Sequence, residues 1–128
     1  MKLFFILALL PLSLMAADYQ WDEDACIENN SSMQRCSLKQ LKFYDDKLNA
    51  IYQTQMKYLQ AQGYKNALRS AQIAWIAFKD RDCHYPVAEG DMGTMGGLLV
   101  TSCKTRHTRQ RIKDLESYVR CRDNGCPE

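Results

Sequence analysis

The sequence predicts an all-α protein: a small, disulfide-stapled three-helix domain, built as a long helical hairpin plus a third helix, with a Gly-rich loop between helices two and three. Three observations carry this. Apolar residues recur at steps of three and four along long stretches, strand-like alternation of useful length is absent, and six cysteines stand in a chain of only 128 residues.

The chain opens on MKLFFILALLPLSLMAA. One positive charge at Lys2 is followed by an apolar run from Leu3 to Leu14 and then by small residues at Ala16 and Ala17, the layout of a secretory signal peptide. The run is shorter than the roughly 20 residues of a membrane-spanning helix. Residues 1–17 are therefore predicted to be a signal peptide cleaved after Ala16 or Ala17, and 18–128 a single helical domain. The expected product is periplasmic or secreted and soluble, with no stable membrane anchor.

The first helix is predicted to start near Ser31 or Ser32, where SSMQ has the capping-box spacing of Ser and Gln. Its apolar face runs through Leu41, Tyr44, Leu48, Ile51, Tyr52, Gln55 and Leu59 to a stop at Gly63. The second helix fits residues 65–82, with Leu68, Ala71, Gln72, Trp75, Ile76 and Lys79 on one face and Phe78 beside it. From His84 to Thr101 the periodicity fails, and the stretch holds four of the six glycines. It is predicted as a long loop with at most a turn of helix near Leu98 to Val100. The third helix is predicted over Ser102 to Arg120, with Thr108, Ile112, Leu115 and Val119 buried, and RDNGCPE closes the chain as a turn.

Cys26, Cys36, Cys83, Cys103, Cys121 and Cys126 all follow the leader. An even count in a small exported chain reads as a disulfide framework, although six cysteines allow 15 connectivities. The preferred set joins Cys26 with Cys36, Cys83 with Cys103, and Cys121 with Cys126, since each closes a local loop. The middle pair pins both ends of the Gly-rich loop, a closure of about 3 kcal/mol in the chain-entropy model.

Composition excludes several function classes. Without Lys2 the chain carries 16 basic and 15 acidic residues, a balance that argues against nucleic acid as a partner. Asp18, Asp22, Glu23, Asp24 and Glu28 form an acidic cluster around Trp21, a second possible surface for a basic partner. Asp45 and Asp46 are adjacent and point in different directions on a helix, a poor arrangement for paired acid and base. Asp46, Asn49, Lys79 and Arg111 are expected instead to form a polar bridge among the three helices. Cys83, His84, Cys103 and His107 have the ligand types for zinc, but an oxidising envelope converts thiols to disulfides. No metal, cofactor or catalytic residue is expected.

The ordered residues Cys26, Cys36, Asp46, Leu48, Asn49, Tyr52, Gln72, Trp75, Phe78, Lys79, Asp80 and Cys83, then Gly93, Gly96, Gly97, Cys103, Thr108, Arg111 and Leu115, resemble the LprI-like lysozyme-inhibitor domain family of small exported bacterial proteins. Lys79 stands where that family more often has Arg, and Cys121 and Cys126 look like a terminal addition. The resemblance implies an α-helical exported protein and, for some members, inhibition of lysozyme by a protein–protein contact. A muramidase inhibitor must occlude a sugar cleft that holds two carboxyl groups. The expected interface is the clamped loop and its exit: His84, Tyr85, Glu89, Asp91, Thr94, Lys104 and Arg106. The alternatives are an envelope binding or immunity protein against another toxin or hydrolase, and an enzyme or metalloprotein using Cys83, His84, Cys103 and His107.

Overall fold

In the computed structural model, which describes residues 30–90 and 92–126, with side chains from Met33 onward, the chain forms three long helices. Helix α1 spans Asn30–Tyr58, α2 Gln62–His84 and α3 Gly93–Arg120. Short 3-10 segments follow α2 at Tyr85–Val87 and α3 at Cys121–Asn124. No strand occurs among the described residues.

The first helix ends at Tyr58, five residues before the predicted stop at Gly63. The reversal uses only residues 59–61. Leu59 is buried there, its N–H reaching the Gln55 carbonyl at 3.1 Å, and the Gln60 amide caps the Tyr58 carbonyl at 2.9 Å. Gly63 falls in the first turn of α2 with nothing near its missing side chain, so it neither terminates a helix nor permits a close approach. The second helix is longer than the predicted 65–82. His84 prolongs it by donating Nδ1–H to the Asp80 carbonyl at 2.7 Å, satisfying a last-turn acceptor.

The largest departure lies in the predicted loop over 84–101. Helix α3 begins at Gly93, nine residues before Ser102, which leaves only a short connection after the Tyr85–Val87 turn. Glycine inside a helix costs roughly 1 kcal/mol relative to alanine, so GTMGGLL scores poorly as an isolated helix. Packing reverses that balance. A Cβ on Gly97 would lie 2.9 Å from the Gln34 amide nitrogen, so the missing side chain makes room for the Gln34 amide of α1 against α3. Thr101, Thr105 and Thr108 continue the buried line along α3. The first two turn their hydroxyls back to the carbonyls of Gly97 and Thr101, at 2.8 and 3.0 Å, so neither hydroxyl is buried without an acceptor.

Leu48 of α1 and Ile112 and Leu115 of α3 form the apolar centre. Tyr44, Ile51 and Tyr52 pack on it from α1, and Leu68 and Trp75 from α2. Three residues predicted on or beside the inner face of helix two lie elsewhere: Phe78 is 54% and Ile76 44% exposed, and Ala71 is exposed as well. Helix α2 turns Gln72, Lys79 and Cys83 inward, and this line carries Phe78 and Ile76 round toward solvent.

Cys83 and Cys103 are joined across α2 and α3, with Cα atoms 5.5 Å apart, and Cys121 and Cys126 close the C-terminal turn. Gly125 takes φ +83° inside that turn, a left-handed conformation that glycine adopts without steric cost. Cys36 is also disulfide-bonded. Its expected partner Cys26, the acidic cluster and the predicted leader lie outside the described residues.

Candidate functional site

Two arrangements stand out: a polar bridge inside the bundle and a stapled end where α2 meets α3. The bridge uses a different carboxylate from the predicted one. Asp45 Oδ1 lies 3.5 Å from Lys79 Nζ and accepts a 3.1 Å hydrogen bond from the Thr108 hydroxyl, tying α1 to α2 and α3 together. Asp46 instead pairs with Lys42 at the surface, 2.8 Å away, and Asn49 is exposed. The apolar stripe itself contained the signal: Asp45, Leu48, Tyr52, Gln55 and Leu59 follow one another at steps of three and four, whereas Asp46 and Asn49 lie off that line.

Lys79 and Arg111 do belong to the interior. Lys79 is buried with its ammonium 4.7 Å from the Trp75 ring centroid, a cation–π contact added to the Asp45 pair. A lysine meets this single-oxygen contact as a point charge and does not need the planar fork of arginine. Arg111 donates Nε–H to Gln72 Oε1 at 3.1 Å. Tyr52 is half-buried against the core. These groups hold three helices in register, and no two of them form an acid–base pair facing a substrate-sized space.

At the stapled end, the disulfide is flanked by two cross-helix pairs. Lys104 Nζ lies 2.8 Å from Asp80 Oδ1, and His107 Nε2 lies 2.7 Å from Asp82 Oδ2. The Phe78 ring meets the His107 ring edge to face at 5.4 Å. The hydrogen bond from Lys104 holds the Asp80 carboxyl below the usual carboxylate range. A depressed folded value means that the pair stabilises the fold above the ordinary carboxylate range and is lost as pH falls through the depressed value. The half-exposed Asp80 keeps that contribution small.

Asp82, Cys83, Cys103 and His107 bring potential ligand atoms within 4.8 Å of one another. His84 is not in this group; its Nδ1 is engaged by the Asp80 carbonyl. The two sulfurs are bonded to each other and present no thiolate pair.

The predicted interface residues spread over this end rather than along a loop. His84 closes α2, and Tyr85, 81% exposed, opens the following 3-10 turn. Glu89 is exposed in the connection, Thr94 is exposed in the first turn of α3, and Lys104 and Arg106 lie a few turns further on. Asp91 lies outside the described residues. Met92, Met95 and Leu99 add an exposed apolar rim. An open groove of about 820 Å³ between α1 and α3 adjoins it, where Arg106 is joined by Arg109, Lys113, Ser37 and Gln40. These last four were missed. Arg106, Arg109 and Lys113 recur at helical spacing, which is the signal that could have found them.

A small helical protein whose Lys79 is held by Asp45, and whose stapled end carries exposed aromatic, apolar and basic groups, has surfaces suited to binding. The comparisons sharpen that reading. Residues 23–115 match the family described as lysozyme inhibitor LprI, and the chain belongs to this family. It is also similar to an uncharacterized protein of Rhizobium meliloti (strain 1021), 28% identical over 132 aligned positions that cover 92% of this chain and 95% of the relative. No solved structure matches it. No helix among the described residues is long and apolar enough to cross a membrane.

Proposed function

We propose that the protein is an exported inhibitor of lysozyme that occludes the enzyme's cleft with its stapled end, residues 84–106. The match of residues 23–115 to the LprI family carries this reading. The geometry supports it in two ways. Tyr85 stands fully out on a turn whose two sides are joined by Cys83–Cys103, so little conformational freedom remains to be lost on binding. Arg106, Arg109 and Lys113 face the adjoining groove and give a cationic surface complementary to a cleft lined by carboxyl groups.

The test is cell-wall lysis by lysozymes of several types, with and without the oxidised protein, using a reduced and alkylated sample as control. Dose-dependent inhibition that disappears on reduction is expected. An oxidised sample that inhibits no lysozyme type overturns the reading. Within it, Tyr85→Ala should weaken inhibition by about tenfold, as loss of an exposed aromatic anchor does, with the melting temperature unchanged.

A further inference from the structure

At the opposite end of α2 from the staple lies a second cavity, of about 400 Å³, between the end of α1, the first half of α2 and the end of α3. Its walls are largely apolar, with Leu59, Ala67, Leu68, Ala71 and Tyr118 among them. The two alanines make the space, because longer side chains at those positions would fill it. The volume lies within the range of small-molecule sites, roughly 300–1,000 Å³.

Arg111 forms part of this wall and is only 9% exposed. Its Nε–H is satisfied by Gln72, but its Nη2 is sealed from solvent without a hydrogen-bond acceptor. Among the described residues no carboxylate pairs with it. The contrast with the other buried cation is direct, since Lys79 has Asp45 within 3.5 Å. A guanidinium cannot relieve its burial by losing a proton, so an unpaired one carries the whole desolvation cost. An anion is the group that offsets it.

Gln55 supplies a second polar group to the wall. Arg122 donates to Gln55 Oε1 from Nη2 at 2.9 Å and from Nε at 3.3 Å. Because a guanidinium only donates, this fixes Oε1 toward Arg122 and leaves the amide NH2 as the donor available to a ligand. A buried cation, an amide donor and an open apolar pocket together match a carboxylate carried on an apolar body.

We propose that this pocket binds a small carboxylic acid with an apolar body, the Arg111 guanidinium turning its Nη2 outward from its sealed position to pair with the carboxylate, and the body lying over Ala67, Leu68 and Ala71. The site is separate from the stapled end, and it stands or falls independently of lysozyme inhibition.

The experiment is titration of the full oxidised protein with octanoate and phenylacetate, and with the matching neutral amides, followed by calorimetry and by NMR shifts of the Leu68, Ala71 and Arg111 amides. Saturable binding of an acid is expected, with its amide weaker by about tenfold or more, the worth of a hydrogen bond to a charged group. Arg111→Lys should weaken the acid but not the amide. Ala67→Trp occupies the pocket from the α2 side while keeping Arg111 in place and should abolish binding of both, which keeps the test open if the Arg111 variant fails to fold. Equal affinity for acid and amide, binding that survives Ala67→Trp, or no saturable binding of either acid each overturns the proposal.

Discussion

The α1–α3 seam and the attachment of α2 are built by different means. Along the seam, Gly97 makes room for the Gln34 side chain, and Leu48, Ile112 and Leu115 fill the space between α1 and α3. Helix α2 adds only Leu68 and Trp75 to that core and leaves Ile73, Ile76 and Phe78 well exposed. It is held instead by discrete ties: one disulfide, the Lys79–Asp45 and Gln72–Arg111 pairs, and the surface pairs of Asp80 and Asp82. A seam made of continuous packing fails as a unit. A helix held by a few ties can be released one tie at a time.

That difference can be broken from either side. Leu115→Ala deletes a fully buried side chain from the seam and should cost about 3–4 kcal/mol in chemical denaturation, with loss of all three helices together. Replacing Cys83 and Cys103 together by serine should cost about 3 kcal/mol, but unevenly. Hydrogen exchange should accelerate in α2 while the Leu48–Leu115 region of α1 and α3 keeps its protection. Uniform acceleration in all three helices would show that the seam depends on the staple after all. The finest cut separates two neighbouring carboxylates: Asp45→Asn leaves the buried Lys79 without its anion and should cost about 2 kcal/mol. Asp46→Asn removes only an exposed i, i+4 pair and should change stability by less than about 0.5 kcal/mol.

The same contrast explains what the sequence made legible. Period 3.6 in α1, α2 and the second half of α3 follows from burial of one face, and it located the three helices and the central Leu48, Ile112 and Leu115. The Cys83–Cys103 pair was also readable, because both cysteines flank a segment that must reverse direction. The start of α3 was not, since Gly97 lies against Gln34 of α1 and Gly96 against Met92 and Val87, contacts that exist only in the folded chain and have no local signature. Phe78 was misplaced because α2 buries a narrow line containing Gln72 and Lys79, and hydrophobicity alone assigns the inward direction to the aromatic ring. At the site, residue types marked the stapled end, but the cations of the adjoining groove and the unpaired Arg111 became visible only once α1 and α3 were set side by side.

The staple is also lopsided, and that gives its chemistry a direction. Cys83 is 2% exposed, whereas Cys103 is partly accessible and has Arg106 Nη2 3.7 Å from its sulfur. The α3 side is therefore the more open to an incoming dithiol, and the neighbouring cation there favours an approaching thiolate. The mixed disulfide forms on Cys103, and the sulfur expelled is the one enclosed between the helices, where burial disfavours the thiolate and makes it a poor leaving group. Reduction of the native protein is consequently slow until α2 swings away, so the rate at which this one bond is cut serves as a clock for how often the bundle opens.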